Sequence, residues 1–399
     1  MQSSQMVGSE SDPLPNNLEL YTFKPFVHEI LKTDSIIPHA RSGHRVACDD
    51  DNLYVYGGYN PNIVTPEAER AQQGNEGSLF REVLKFNFAS MTWKNLDIKD
   101  IPYTLASVAL VMSGKVMMVY GGTGVPFHSE KSNVFYVCNL GEQEPQFKKI
   151  ITTGKVPAEL YGQAMFFRDN HLYVIGGTTG YEYFLDIHRL NLTTNVWEEV
   201  YICKGLKSEP SGRYRHEIGV VGNKLYILGG GRSNEGVKLE EIPVFDLDTK
   251  VWEIVRSIKD EIHGYPAQRQ FHSTARIPGT DSFILIGGVH GPEKIYDDCW
   301  RLDISSLSWK KIPSLQLCIP VFFHGTGVTS SGRMASFGGV VKKGRSQGRV
   351  AIIQSAWICI PKLKDISWEA VIHYGLIQTL TSLQFKQLRL PKEYYSKLL

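Results

Sequence analysis

The chain has 399 residues, 42% of them hydrophobic, with 43 Lys and Arg against 41 Asp and Glu and a formal net charge of +2. That balance argues against non-specific nucleic-acid binding, which needs a basic stripe to neutralise phosphates. No apolar stretch approaches the ~20 residues of a membrane span, and the polar opening MQSSQMVGSESDPLPNN has no signal-peptide h-region, so the expectation is a soluble protein of the cytosol or nucleus.

Residues 1–17 are rich in Ser, Pro, Asn and acids and are expected to be disordered. Beyond them the chain repeats itself. Apolar, β-prone runs end in a Gly-Gly pair in LYVYGG, VMMVYGG, LYVIGG, LYILGG, FILIGG and MASFGG. A period of ~50 residues with these glycines fits kelch blades and predicts an all-β, six-bladed kelch β-propeller over residues 18–360. Each copy begins at a short segment centred on a His or its substitute: Arg41-Ser-Gly-His44, Leu105-Ala-Ser107, Tyr161-Gly-Gln163, Arg213-Tyr-Arg-His216, Arg269-Gln-Phe-His272 and Phe322-Phe-His324. The Gly-Gly pair then ends a second strand. A third strand follows, as in VLKFNF or CWRLDI, and a fourth carries Trp93, Phe147, Trp197, Trp252 or Trp309. These rings supply large buried area between wedge-shaped blades. The sixth copy lacks a fourth strand, and an open propeller would expose two edges. The N-terminal stretch near Tyr21–Phe26 is the expected donor. Residues 59–80 form the longest insertion, of loop composition. The cysteines Cys48, Cys138, Cys203, Cys299, Cys318 and Cys359 are scattered without C-x-x-C spacing and read as buried, reduced thiols.

From Pro361 the period changes. Leu363, Ile366, Ala370, Val371 and Tyr374 recur at helical spacing on one face, with Pro361 before the start and Gly375 as a stop. Leu376, Ile377, Leu380, Leu383 and Leu388 suggest a second helix. Pro391 opens a third, with Leu390, Tyr394 and Leu398 four apart. Residues 361–399 are therefore read as a short C-terminal α-helical box, which either packs on the propeller rim or recruits a partner.

The stretch Leu363-Lys-Asp-Ile366-Ser367-Trp-Glu-Ala-Val371 resembles the elongin-binding BC box, with Ser367 where Cys is commonest. Leu390-Pro391-Lys-Glu-Tyr394-Tyr-Ser-Lys-Leu398 resembles a cullin-2 box. With the repeats and the runs GGYNP, YGQAM, GGTTGY and ILGGG, the chain from about Pro38 onward resembles the kelch-repeat substrate receptors of elongin–cullin-2 ubiquitin ligases. The resemblance implies elongin B, elongin C and cullin-2 as partners. It implies elongin contacts at Leu363, Ile366, Ser367 and Val371, and cullin contacts at Leu390, Pro391, Tyr394 and Leu398. It also implies binding of substrate C-termini that end in glycine, so-called C-degrons.

A C-terminal carboxylate is met best by arginine through two parallel charge-assisted hydrogen bonds. The candidate anchors are Arg215, Arg232 and Arg269, with Gln270 and Ser233 as supporting donors and Tyr161, Tyr181, Tyr214 and Phe271 as pocket aromatics. An Arg three residues before the His recurs in kelch repeats, so Arg41, Arg213 and Arg269 also fit a structural brace. Arg215 and Arg232 break the repeat pattern and are the stronger functional candidates. The once-per-repeat histidines read as internal hydrogen-bonders and not as a metal site. No phosphate-cradling loop, G-x-S-x-G elbow or copper-binding Tyr/His set emerges, so no catalytic residues and no cofactor are expected. The alternatives are a kelch scaffold for signalling or cytoskeletal partners without ubiquitin transfer, and a propeller enzyme.

Overall fold

The computed structural model describes residues 20–33, 35–64, 78–233, 235–291, 294–344 and 346–375. They build a six-bladed β-propeller with one short helix behind it. Every blade is a four-stranded antiparallel sheet in meander order. The third adds Thr153–Gly154 alongside its outer strand. The inner strands are Arg45–Cys48, Ala109–Ser113, Ala164–Arg168, Glu217–Val221, Ser273–Arg276 and Gly325–Val328.

The sixth blade closes the ring. Its inner three strands come from the end of the chain, and its outer strand is Glu29–Ile30, with Glu29 opposite Ser355 and Ile30 opposite Gln354. The sequence placed this strand near Tyr21–Phe26. The pairing instead begins past it, at residues whose side chains are exposed and which join by backbone alone; Phe26 contributes one backbone hydrogen bond, to Trp357 O.

The repeated residues have a common geometry. In blade five, Gly287 and Gly288 have φ of +65° and +97°. A Cβ at Gly287 would stand 2.8 Å from the His324 ring of the next blade, and one at Gly288 would stand 2.8 Å from the Cβ of His272 in the same blade. Only glycine tolerates both the backbone and the approach. Gly-Gly and His therefore recur together because each fills the space the other leaves. Gln163 replaces the His in blade three: His44 Nε2 reaches Phe337 O and Gln163 Nε2 reaches Tyr120 O, each in the preceding blade. The ring nitrogens of His216, His272 and His324 have no partner within hydrogen-bond geometry among the described residues, so the expectation of an internal hydrogen-bonder holds for His44 alone.

The fourth-strand aromatics lie at the seams, each against the blade before it. Trp93 packs 4.9 Å from Phe337, Phe147 5.6 Å from Tyr56 and Trp197 5.2 Å from Tyr120. Trp309 donates its indole N–H to Leu239 O. The core is thus a series of interblade clusters rather than one centre.

All six cysteines are free thiols. Cys138 and Cys299 are buried, but Cys318 is exposed and the other three are half-buried, so the expectation of uniform burial fails. No described helix is long and apolar enough to cross a membrane. In the 59–80 insertion, Tyr59–Asn60 pairs with Ser78–Leu79; residues 65–77 lie outside the described residues, as do 1–17 and the two helices expected after Gly375.

Candidate functional site

The residue before each His, or its substitute, faces the central channel. These are Gly43, Ser107, Gly162, Arg215, Phe271 and Phe323, and all have φ between +51° and +72°. Their backbones join across five of the six seams: Ser107 N–H donates to Gly43 O at 2.8 Å, Gly162 to Ser107 at 2.7 Å, Arg215 to Gly162 at 2.7 Å, Phe323 to Phe271 at 2.9 Å and Gly43 to Phe323 at 3.2 Å. One residue earlier, each blade pairs with the residue just past its own Gly-Gly, as in Ser42 with Tyr59 and Tyr214 with Gly231. The channel mouth is therefore a ring of hydrogen-bonded backbone whose side chains differ from blade to blade.

Arg215 crosses this ring. Its Nε and Nη2 donate to Ser107 Oγ at 3.2 and 2.8 Å, and Nη2 also donates to Gly43 O at 3.0 Å. Its guanidinium lies 5.1 Å from the Phe323 ring centre. It is 4% exposed and has no carboxylate within ion-pair distance among the described residues. Burial, then the nearby Arg45, pushes its pKa down to about 9 against the pull of Glu217. Beneath it, Arg45 and Glu217 pair at 3.0 Å between blades one and four.

Above the ring lies a cavity of about 220 Å³ lined by Ser42, Gly43, Tyr59, Ala106, Ser107, Thr123, Phe127, His128, Tyr161, Tyr214, Phe323 and Arg349. No acid is among them. Arg349 Nε is 3.4 Å from Ser42 Oγ, its guanidinium is 6.0 Å from the Tyr59 ring, and partial burial lowers its pKa. Tyr161 and His128 share a hydrogen bond of 2.5 Å between the hydroxyl and Nδ1. Aromatic contacts run from His128 through Tyr161 and Tyr214 to Phe271, which stacks on Phe323 at 3.8 Å. A cavity with two guanidinium groups beside it, hydroxyls and no carboxylate favours a small anionic group carried on an apolar or peptide body.

The structure brings some of the sequence candidates together here and places others elsewhere. Tyr161 and Tyr214 line the cavity; Arg215 does not line it but bonds two residues that do, Gly43 and Ser107, and Phe271 packs on Tyr214 and Phe323. Arg269 is corrected: it is fully buried, with Nη1 and Nη2 on Asp298 at 2.5 and 3.0 Å, Nη1 also on Gly287 O and Nε on Ala267 O. Those donors are consumed in a structural brace. Arg41 repeats it with Glu82, Gly57 O and His39 O, and Arg213 makes the carbonyl half alone. Gln270 is buried and does not line the cavity. Arg232 is exposed on a blade-four hairpin, bonded to Gly212 O at 2.6 Å, and the neighbouring Ser233 meets the Tyr183 hydroxyl. Tyr181 is 82% exposed, 6.0 Å from His128. Sequence reasoning missed Ser42, Ser107, His128 and Arg349. Ser107 was detectable as one of the six residues preceding the His position; Arg349 sits on a hairpin outside the repeated segments.

Behind blade six, helix α1 spans Leu363–His373. Tyr374 N–H donates to Ala370 O and Gly375 N–H to Ile372 O, and Gly375 has φ +67°, a left-handed stop. The predicted apolar face is docked in part: Ile366, Ala370, Val371 and Tyr374 are half-buried, and the Tyr374 hydroxyl accepts from Tyr21 N–H at 3.0 Å. Trp368 is the buried residue, and Glu369 pairs with Arg333 at 3.3 Å while accepting from the Tyr21 hydroxyl at 2.9 Å. Leu363 is 77% exposed, Ser367 is exposed, and Ile366 and Val371 are half-buried. Leu390, Pro391, Tyr394 and Leu398 lie outside the described residues.

The sequence model described as the KLHDC2/KLHL20/DRC7 Kelch-repeats domain matches residues 6–230, 71–277 and 215–375. Kelch domain-containing protein 10 of Rattus norvegicus is 37% identical over 363 residues, covering 90% of this chain and 86% of its own. The Homo sapiens protein of that name is 38% identical over 336 residues, covering 84% and 74%. The chain belongs to the kelch domain-containing protein 10 family. The Drosophila melanogaster homolog is 32% identical over 399 residues, covering 94% of this chain and 63% of its own. Membership makes the chain a kelch-repeat propeller, a class typically non-catalytic. Among the described residues no group of three His, Cys, Asp or Glu could hold a metal ion.

Proposed function

We propose that this protein is a substrate receptor of an elongin BC–cullin-2 ubiquitin ligase. The channel-mouth cavity receives the C-terminus of a substrate, glycine-ending C-degrons being the expected class, and the C-terminal helices recruit the ligase. The observation that carries this reading is the division of labour on α1. Trp368 and Glu369 hold the helix to the propeller, while Leu363 and Ser367, the first two positions of the BC-box spacing, face solvent. A helix kept only to cover the rim would bury its apolar positions. The site reading is supported by the acid-free cavity, with Arg349 in its wall and Arg215 bonded to Gly43 and Ser107, which line it. The anchors so proposed are Arg215 and Arg349, with the hydroxyls of Ser42, Ser107 and Tyr161.

A receptor performs no bond chemistry itself. It holds a substrate lysine near ubiquitin carried by other subunits. The deciding experiment is co-purification with elongins B and C and cullin-2, comparing the full chain with one ending at Ile360. A complex lost on truncation supports the receptor. No complex with either form leaves a kelch scaffold that transfers no ubiquitin.

A further inference from the structure

The cavity wall continues upward as a hairpin. Strands Val340–Lys343 and Ser346–Arg349 pair antiparallel, with Val340 opposite Arg349 and Lys342 opposite Gln347. Val340 is buried against the channel aromatics, and Arg349 lines the cavity, so this cross-strand pair marks the channel-side face. Side chains alternate along a strand, so the next residues on that face are Lys342 and Gln347, about 7 Å further from the cavity. Lys342 and its neighbour Lys343 are exposed and form no ion pair among the described residues.

We infer that this hairpin reads acidic residues just upstream of the bound C-terminus, so that the preferred substrates are tails carrying Asp or Glu at about the third to fifth position from the end. This rests on the proposed function, because it needs a peptide anchored by its carboxylate at Arg349. An extended peptide rises about 3.3 Å per residue. Two to three residues beyond the anchored carboxylate the chain comes level with Lys342, and a lysine side chain extends the reach by one or two residues more. The contact is between solvated charges, so it sets preference rather than overall strength.

The test uses the full chain and fluorescent peptides that share their last two residues and a free carboxylate. One carries Glu at positions three to five from the end, one carries Ser there, and a third is the Glu peptide amidated at its C-terminus. The Glu peptide is expected to bind about five-fold more tightly than the Ser peptide at low salt, with the difference shrinking toward nothing in 0.5 M salt. The double substitution K342E/K343E should reverse the order, weakening the Ser peptide far less than the Glu peptide. Equal binding of the Glu and Ser peptides, or a Glu preference that survives K342E/K343E, overturns the inference and leaves the receptor reading standing. Absence of binding by every peptide, or equal binding of the amidated and free forms, overturns the receptor reading at this site and the inference with it.

Discussion

Replacing Arg215 and Arg269 separately by Met tests whether Arg215 acts as the proposed ligand anchor while Arg269 is structural. Both are buried and both belong to the segment that opens a blade. Arg269 Nη1 and Nη2 grip Asp298. Arg269→Met leaves that half-enclosed carboxylate uncompensated, which costs about 3–5 kcal/mol, or a fall in Tm on the order of 10 °C for a domain this large. Arg215 has no carboxylate within ion-pair distance among the described residues. Arg215→Met loses its bonds to Ser107 Oγ and Gly43 O, at roughly 1.5–3 kcal/mol each for a charged donor. It also removes a desolvated, unpaired charge that itself costs several kcal/mol. The two nearly cancel, and Tm should move by only a few degrees. Anion binding responds the other way. Losing the Arg215 guanidinium should weaken a C-terminal peptide by about 1.5–3 kcal/mol, roughly ten- to a hundred-fold, while Arg269→Met bound at a temperature where it stays folded should keep near-native affinity. Thermal melts and fluorescence polarisation read the two axes. An Arg215→Met protein as unstable as Arg269→Met, with unchanged peptide affinity, would refute the assignment of Arg215 to the site.

Leu363→Asp puts a charge on an exposed position, so stability should change by less than about 0.5 kcal/mol while elongin co-purification is lost; retained elongin would remove the BC-box assignment. Glu369→Gln takes away the partner of Arg333 and weakens the hold of Tyr21, so amide exchange in α1 should speed up while exchange in blades one to five stays as it was. His216, His272 and His324 are each held at about 3, below the ordinary 6.5, chiefly by burial. Each is neutral when folded and protonates on unfolding below pH 6.5, so stability falls as pH drops from 6.5 toward 3, by about 1.4 kcal/mol per unit for each His. Gln163 already fills this position in blade three, so His272→Gln should fold and lower that slope by one histidine's share in urea titrations at pH 7, 6 and 5; an unaltered slope would contradict the burial argument.

The propeller was legible because its determinants are local and restated. Each Gly-Gly ends a strand, four of the six meet the next blade's His, and each outer aromatic fills a seam, so the same residues had to recur. Closure was legible in kind but not in register. The sixth copy lacks a strand, and nothing in Tyr21–Ile30 marks which residues pair, because a two-residue edge strand needs no pattern beyond exposed backbone partners. The tail helix was legible in its ends and only in part in its docking. Helical spacing picked out Leu363, Ile366 and Val371, whereas the buried contact is Trp368, reinforced by the ion pair of Glu369 with Arg333, which sits 36 residues earlier in the chain (369 − 333).

The site divides along the same line. Repetition already marked Arg269 as fitting a brace; the brace needs Asp298, the residue immediately before strand three of its blade. Blade one has Glu82 in that place, so the pairing of Arg41 with Glu82 and Arg269 with Asp298 was available as a recurrence and marks both arginines as structural. Departure from repetition exposed Arg215. Its position in the other blades is Gly43, Ser107, Gly162, Phe271 and Phe323, a set that shares a backbone conformation and nothing else. Interblade hydrogen bonds fix this backbone, while the side chains differ from blade to blade and pack on one another: Arg215 bonds Ser107, and Phe271 stacks on Phe323. Ser107 and Phe323 line the cavity, so under the proposed function they join Arg215 as candidate ligand-determining positions. Arg349 escaped notice because it lies on a hairpin that no other copy restates in sequence.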